Sequence, residues 1–221
     1  MCGRYTLRTA PKVKLPGVRN AELPFEARYN IAPTQEVPVV ADFGRGLELT
    51  TIIWGLLPNR SNDGKRFINA RAETIESTAS FSESFRKRRC LILADGFFEW
   101  KRSLGSKQPH YIQMNDESAF AFAGIWDTSR TSRACAIITT TANETLKPIH
   151  ERMPVILRPE SYRVWLDPQT PPAVLRELLM PFPAATLSSH PVSRQVNSVQ
   201  NDRPELIQRE DNEVGTNLTL F

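Results

Sequence analysis

Residues 90–101 read Cys-Leu-Ile-Leu-Ala-Asp-Gly-Phe-Phe-Glu-Trp-Lys, and this stretch carries the clearest structural signal in the chain. Two apolar runs, 90–94 and 97–101, are separated by Asp95-Gly96. Short apolar runs bounded by turn residues are typical of β-strands. The stretch therefore predicts two consecutive strands, the second of which carries one acidic residue, Glu99, between Phe98 and Trp100.

The same pattern recurs along the chain and predicts a strand-rich domain. Further strands are predicted at 37–41, Leu47–Trp54, 110–114, 119–126, 134–140 and 153–157. Short helices are predicted at 80–88, 159–166 and 172–180, with a helix start at 73–77 and a hairpin loop at 102–109. We expect one α+β domain rich in antiparallel strands over residues 2–208, followed by a loose tail at 209–221.

Composition excludes several classes of protein. Hydrophobic residues make up 40% and charged residues 24% of the 221 residues, which is an ordinary globular mix. No apolar run approaches the roughly 18 residues that span a bilayer, and no signal peptide is apparent, so a cytoplasmic monomer without a membrane segment is expected. The three cysteines form no Cys-x-x-Cys pair and the three histidines show no ligand spacing. Neither a disulfide framework nor a metal or cofactor is therefore expected.

The charge of the chain is mildly basic and unevenly distributed. The formal net charge is +4, with 28 basic and 24 acidic residues. Residues 209–221 hold one basic and three acidic side chains, so the remaining chain holds 27 basic and 21 acidic residues. This bias is compatible with binding to a polyanion such as a nucleic acid.

The N-terminus carries unusual chemistry, because Cys2 follows Met1 directly. Since Cys2 is small, removal of Met1 is expected, and it would leave an α-amine beside a thiol. Such a 1,2-aminothiol reacts with an aldehyde through a Schiff base and closes to a thiazolidine. A terminal amine titrates near roughly 7.7–8.0, against about 10.4 for lysine, so part of it is nucleophilic at neutral pH. The alternative is that Met1 is retained and Cys2 is incidental.

Three further residues are candidates for chemistry because polar side chains interrupt apolar context. Glu99 lies between aromatic residues, where desolvation can raise a carboxyl pKa into the range of a general acid/base; the alternative is an exposed strand residue. His150 could transfer protons at neutral pH or be a structural histidine. Asn69 could orient a nucleophile or cap a turn.

Three arginines, Arg4, Arg71 and Arg152, each lie within two residues of one of these candidate groups. Guanidinium groups suit phosphate oxygens, which they can bind through two parallel hydrogen bonds. Salt bridges to Glu73 or Glu151 are the alternative for these side chains.

Together these clusters resemble the SRAP family, the SOS-response-associated proteins that process abasic sites in DNA. The matching segments, in the order of the family, are Cys2-Gly3-Arg4-Tyr5, Tyr29-Asn30-Ile31-Ala32-Pro33, Trp54-Gly55-Leu56-Leu57-Pro58, Asn69-Ala70-Arg71-Ala72-Glu73-Thr74, Asp95-Gly96-Phe97-Phe98-Glu99-Trp100, His150-Glu151-Arg152-Met153-Pro154 and His190-Pro191-Val192-Ser193. Each segment alone is a weak signal, whereas seven in order over residues 2–208 are specific.

The resemblance implies an antiparallel, barrel-like sheet with a few peripheral helices, and a protein that captures the ring-opened aldehyde of an abasic site in single-stranded DNA. Cys2 would form a thiazolidine crosslink to the sugar and so shield the lesion. Asn69 would hold the aminothiol, and Glu99 would act as general acid/base in ring closure and reversal. His150 would assist sugar ring opening and proton transfer at the Schiff base.

The resemblance also implies a DNA-binding surface. Arg4, Arg71 and Arg152 would hold the flanking phosphates, while Pro33 and Trp100 would wall the pocket beside the lesion. Such a protein would be associated with the nucleoid and with replication forks. Many family members carry a tryptophan shortly after the Trp-Gly-x-x-Pro segment, but the loop 59–65 has none here. This loop therefore lacks the stacking residue, and Arg60 or Lys65 could contact phosphate instead.

The C-terminal residues, Asn217-Leu218-Thr219-Leu220-Phe221, resemble the short motif through which bacterial replication and repair proteins bind the sliding clamp. The usual first residue of that motif is glutamine, so Asn217 departs from it. The alternative is that the apolar residues pack against the body of the protein.

Three other functions remain as alternatives. N-terminal-nucleophile amidohydrolases of the glutamine amidotransferase type also begin Met-Cys-Gly, but their Asn-Gly-Glu segment is absent. A peptidase activity could be limited to autoproteolytic removal of Met1, with Glu99 assisting. A DNA-binding module without chemistry would tolerate the loss of Cys2, whereas a crosslinking protein would not.

Overall fold

Thirteen β-strands and three short α-helices are present in the part of the chain that the computed structural model describes, namely residues 2–10, 15–20, 22–57, 66–103, 105–129 and 132–210. The strands are β1 (Arg4–Leu7), β2 (Arg28–Ile31), β3 (Glu36–Asp42), β4 (Leu47–Trp54), β5 (Asn69–Arg71), β6 (Arg89–Ala94), β7 (Gly96–Ser103), β8 (Ser106–Met114), β9 (Phe120–Ser129), β10 (Ser132–Thr141), β11 (Arg152–Pro154), β12 (Ile156–Leu157) and β13 (Leu187–Pro191). The α-helices are α1 (Ser82–Lys87), α2 (Tyr162–Leu166) and α3 (Pro172–Glu177). Single 3₁₀ turns lie at Ala72–Thr74, Pro159–Ser161, Ala184–Thr186, Arg194–Asn197 and Pro204–Ile207.

Five strands close into a barrel in the order β4-β3-β6-β9-β10, because β10 pairs with both β9 and β4. Four of the five pairings are antiparallel, and the closing pair of β4 with β10 is parallel. All six residues of β6 are buried, as expected for a strand covered on both faces. The predicted α+β domain with a barrel-like sheet and few peripheral helices is thereby confirmed.

A second, antiparallel sheet has the strand order β13-β8-β7-β1-β2 and carries the N-terminal residues. Tyr5 of β1 joins this sheet to the barrel, since its ring contacts Trp54 of β4 at 5.3 Å and Phe122 of β9 at 5.8 Å between centroids. Both contacts have the edge-to-face geometry that aromatic pairs prefer. The core therefore runs without interruption from the barrel to the inner face of β1.

A buried carboxylate fixes β1 against β7. Asp95, between β6 and β7, accepts hydrogen bonds from the Thr6 hydroxyl (2.6 Å) and from the backbone N–H of Arg8. The hydroxyl groups of Thr6 and Tyr111 are also hydrogen-bonded, at 2.9 Å. Gly96 leaves room for this group, because a Cβ atom there would lie 2.0 Å from the Tyr111 hydroxyl. These bonds set the register in which Arg4 faces Phe98.

A buried amide holds the C-terminal part of the domain against β2. The Nδ2 atom of Asn30 donates to three carbonyl oxygens, those of Val196 (3.2 Å), Ser198 (2.9 Å) and Asn201 (2.7 Å). Asp202 accepts from the backbone N–H groups of Tyr29 and Asn30. The 3₁₀ turn Arg194–Asn197 is consequently placed beside β7.

Most of the predicted strands match the structure to within three residues at either end, but β8 begins four residues before the predicted 110, and the hairpin loop predicted at 102–109 is too long. β7 continues to Ser103 and β8 begins at Ser106, so that only a tight turn remains, with Gly105 at a φ of +74°. Polar residues made this stretch look like a loop, but a hairpin that projects from a sheet needs no apolar face. Predicted strand 153–157 divides at Val155, because β11 pairs with β10 and β12 pairs with β9.

The predicted helices are shorter than expected. The helix predicted at 159–166 divides into the 3₁₀ turn Pro159–Ser161 and α2, and the helix start predicted at 73–77 is the single turn Ala72–Thr74. No described helix has the length and apolar character needed to cross a membrane.

Arg209 and Glu210, predicted to lie in the tail, pair with β13 and its continuation, since the Glu210 N–H donates to the Pro191 carbonyl at 2.9 Å. The rest of the tail and the loop 59–65 lie outside the described residues.

Candidate active site

Cys2 is completely buried, two residues before β1. Because Arg4 faces Phe98 in an antiparallel pair, the residues before Arg4 run beside those after Phe98, and Cys2 comes close to Glu99. The Nδ2 atom of Asn69 donates to the Cys2 carbonyl at 3.0 Å, and the Cys2 thiol donates to the Arg4 carbonyl at 3.7 Å. The backbone of Cys2 is therefore held from the barrel side by β5.

Burial raises the pKa of the Cys2 thiol well above its ordinary value, and the negative charge of Glu99 raises it further. The thiol consequently carries its proton at neutral pH. A base must accept this proton when the sulfur forms a bond.

Glu99 is the nearest candidate for that base. Its side chain is 1% exposed, and burial raises its pKa to about 7. At neutral pH both the acid and the carboxylate are therefore present in useful amounts, which is the condition for a general acid/base. The alternative that Glu99 is an exposed strand residue is wrong, because β7 turns its carboxyl group inward.

His150 precedes β11 and is half-buried. Its Nδ1 atom accepts a hydrogen bond of 3.0 Å from the backbone N–H of Arg152, so the neutral ring carries its proton on Nε2. Burial also lowers the pKa of His150. Glu99 and His150 line one cavity of about 440 Å³, the other lining residues being Trp100, Arg102, Lys107 and Asn197.

One wall of this cavity is fixed by Asn197. The indole N–H of Trp100 donates to the Asn197 side-chain oxygen at 2.8 Å. The guanidinium of Arg4 reaches the Asn197 carbonyl at 3.5 Å and the Gly3 carbonyl at 2.9 Å. Arg4 and Trp100 are thus oriented by the same residue, which the packing of Asn30 holds in place.

Arg71 and Arg152 lie on the two strands that flank the end of β10. Arg152 forms two hydrogen bonds with the Glu73 carboxylate, at 3.0 and 2.9 Å, and a third with the Thr139 carbonyl at 2.6 Å. Hydrogen bonds from Arg152 lower the pKa of Glu73. The salt bridge to Glu73 that was the alternative for these arginines is therefore present at Arg152, whereas Arg71 is exposed.

The structure brings together Cys2, Asn69, Glu99 and His150, with Arg4 and Trp100 beside them. Of the predicted site residues, Glu99, Trp100 and His150 line the cavity itself, whereas the others do not, namely Cys2, Arg4, Asn69, Arg71, Arg152 and Pro33. The described residues contain no group of three or more His, Cys, Asp or Glu side chains placed to hold a metal ion.

Three residues that line the cavity were not predicted from the sequence, namely Asn197, Arg102 and Lys107. Asn197 is 97 residues from its partner Trp100 and no local pattern marks it. The positions of Arg102 and Lys107 could have been predicted, because two hairpin strands that continue to a turn at Gly105 would place these residues opposite each other. They were not predicted, because residues 102–109 were interpreted as a loop.

The sequence profile of the family described as SOS response associated peptidase (SRAP) matches residues 1–199. The chain belongs to the SRAP family. Among its SRAP relatives, the abasic site processing protein YoqW of Bacillus subtilis is 38% identical, over 94% of this chain and 99% of its own. The abasic site processing protein YedK of Escherichia coli is 32% identical, again over 94% and 99% of the two chains.

Solved structures of other proteins have a similar fold. A protein from Bacteroides thetaiotaomicron matches with a TM-score of 0.74 and 30% identity, over 82% of this chain and 85% of its own. A phage-related protein from Bordetella bronchiseptica matches with a TM-score of 0.72 and 32% identity, over 87% and 95% of the two chains. The fold of this chain is therefore shared with proteins of known structure.

The raised pKa of Glu99 predicts a pH-dependent stability. The pKa in the folded protein, about 7, lies above the ordinary value of 4.5, so the stabilising contribution is complete below about pH 4.5. It is lost as the pH rises through about 7. In a Glu99→Gln variant no such loss occurs. As the pH increases from about 4.5 to about 7, the Tm of this variant should increase relative to the Tm of the native chain. Above about pH 7 the difference between the two Tm values should remain constant.

Thermal unfolding followed by circular dichroism, from well below pH 4.5 to above pH 7, provides the measurement. Glu73→Gln is the control of opposite sign: because Arg152 lowers the pKa of Glu73, that contribution is present above the ordinary pKa and lost as the pH falls. If the Tm of Glu99→Gln and the Tm of the native chain change with pH in the same way, the raised pKa assigned to Glu99 is contradicted.

Proposed function

We propose that this SRAP protein captures abasic sites in single-stranded DNA through a covalent bond to Cys2, after Met1 is removed. The observation that carries the proposal is the arrangement around Cys2, which is buried, held by Asn69 and adjacent to a carboxyl group whose pKa is about 7. The curated relatives named above are abasic site processing proteins, which supports the lesion as substrate. The bond would shield the lesion from strand cleavage.

The chemistry of capture needs no cofactor. The α-amine of Cys2 attacks the aldehyde carbon of the ring-opened sugar, and loss of one water gives a Schiff base. The thiol then adds across the C=N bond, so that sulfur binds the carbon and the thiol proton moves to nitrogen. The product is a thiazolidine, and water is the only by-product. The reverse sequence releases the sugar unchanged.

Glu99 and His150 would move the protons of these steps. Because its pKa is near 7, Glu99 can accept the Cys2 proton during ring closure and return it during reversal. His150, neutral and protonated on Nε2, would donate to the ring oxygen of the sugar as it opens. Both groups line the cavity in which the sugar would lie.

The remaining site residues would bind and orient the DNA. Asn69 holds the Cys2 backbone so that the amine and thiol stay in register with Glu99. Arg4, close to Asn197, and the exposed Arg71 would contact phosphates. Arg152 would do so while keeping its salt bridge to Glu73, which makes it a weaker phosphate ligand. Trp100 would wall the cavity, and Pro33 would support that wall from the β2–β3 turn.

Removal of Met1 is a precondition of this function. The same groups, Cys2 and Glu99, would serve as nucleophile and base if the removal is autoproteolytic, which agrees with the word peptidase in the family description. The activity would then consist of one self-cleavage followed by reversible crosslinking at replication forks. A non-covalent DNA-binding module would instead need neither reaction.

A Cys2→Ala variant is expected to lose the covalent adduct entirely while retaining binding to single-stranded DNA, because the amine alone forms only a hydrolysable Schiff base. The measurement is intact mass spectrometry of the Met1-free protein after incubation with single-stranded DNA that carries one abasic site. Cys90→Ala is the matched control, since Cys90 is equally buried but lies in β6 of the barrel wall.

The native chain and Cys90→Ala should both gain the mass of the DNA less one water. Failure of the native, Met1-free chain to form an adduct would contradict the proposal. An adduct of equal yield in Cys2→Ala would also contradict it, because another nucleophile would then be responsible.

We also propose that the C-terminal pentapeptide, Asn217-Leu218-Thr219-Leu220-Phe221, binds the sliding clamp. Residues 217–221 lie outside the described residues, so the proposal rests on their sequence. A pull-down with purified clamp should recover the full chain and recover less of a chain ending at Gly215. Leu218→Ala/Phe221→Ala in the full chain is the matched control for length. Equal recovery of all three proteins would contradict clamp binding.

A further inference from the structure

Two cations face each other at the cavity mouth. In the ladder between β7 and β8, Arg102 lies directly opposite Lys107, and the preceding pair is Lys101 with Gln108. Residues directly opposite in an antiparallel pair have side chains on the same face, and like charges at such positions destabilise the pair. The hairpin therefore retains an arrangement that costs stability in the free protein.

The ion pairs of the described residues do not involve these two cations. Among the described residues, neither Arg102 nor Lys107 forms a salt bridge, whereas Arg152 is paired with Glu73 at 2.9 Å. Both side chains are exposed. The carboxyl group that lines the same cavity, Glu99, is kept partly protonated at neutral pH by its burial. Among the described residues, no salt bridge therefore neutralises the two positive charges at this end of the cavity.

The two cations belong to the catalytic cavity and not to a remote surface. They line it together with Trp100 and His150. Burial is the main cause that lowers the pKa of His150, and the positive charge of Arg102 lowers it further. An anion bound between Arg102 and Lys107 would thus be within electrostatic range of the reacting groups.

We propose that Arg102 and Lys107 form a phosphate-binding subsite, which holds one phosphodiester of the DNA strand that flanks the captured nucleotide. The planar guanidinium can bind two oxygens of a phosphate, and the lysine supplies a second, adjustable charge. Trp100, between this pair and Glu99 along β7, presents an aromatic ring on which the neighbouring base can stack. This subsite deepens the proposed function and rests on it for the identity of the strand.

Binding to lesion-free single-stranded DNA tests the subsite without any covalent step. The variants are Arg102→Gln, Lys107→Gln and the double substitution, with Lys87→Gln on α1 as the control for an equal loss of charge. Loss of one phosphate contact should reduce the slope of log K against log salt by about 0.7 for the double variant. Its affinity at low salt should fall several-fold, while Lys87→Gln should retain the native slope.

Thermal stability separates a ligand site from a structural role. Because the substitutions remove a like-charge pair, the double variant should have a Tm equal to or above that of the native chain at low salt. Inorganic phosphate should raise the Tm of the native chain more than that of the double variant. A native slope and affinity in the double variant would overturn the subsite, and so would a lower Tm that phosphate does not change.

Failure of the proposed function is distinguishable from failure of the subsite. At saturating abasic DNA the double variant should form the Cys2 adduct more slowly than the native chain, since it keeps Cys2, Glu99 and His150 but loses a phosphate contact. A native chain that forms no adduct, together with a reduced salt slope in the double variant, would overturn the covalent function and support a phosphate subsite. An adduct together with an unchanged slope would overturn the subsite alone.

Discussion

The buried carboxylate of Asp95 is the interaction on which the rest of the site depends. It is 1% exposed and joins the end of β6 to β1 through Thr6 and the Arg8 N–H. A buried carboxylate is tolerated only when its oxygens are hydrogen-bonded, and removal of one hydrogen-bonding partner of a buried group typically costs about 1–3 kcal/mol. Because β1 is fixed in this way, Cys2 is carried to Glu99. The nucleophile is thus positioned by a bond four residues away from it.

Burial then sets the protonation of every reacting group. The same loss of water raises the pKa values of Cys2 and Glu99 and lowers that of His150, so that each group is shifted toward its neutral form. Neutral groups suit the capture of an uncharged aldehyde by an aminothiol, since the step needs proton transfer and not charge attraction. The cations, in contrast, lie at the cavity mouth, where a phosphate backbone would pass.

The strands of the barrel could be predicted, because they are long apolar runs that are visible locally, whereas their closure into a barrel was implied only by the resemblance to the SRAP family. Short strands such as β1, β5 and β13 were not predicted, since their burial depends on partners far along the chain. Glu99 and His150 were found because charge interrupts apolar context. Asn197 could not be found, because its role comes from Asn30 and Trp100, which are distant in sequence. Arg102 was found only once the hairpin register was known.

The most direct test of the account is the chemical form of the linkage at Cys2. The Met1-free protein would be crosslinked to abasic DNA, treated with iodoacetamide and then with borohydride, and digested with trypsin. The account predicts that the sugar is carried by the peptide 2–4, with no alkylated thiol and no gain of hydrogen, because both the amine and the sulfur are in the ring. A sugar on a lysine, or on a Cys2 whose thiol is alkylated, would contradict it.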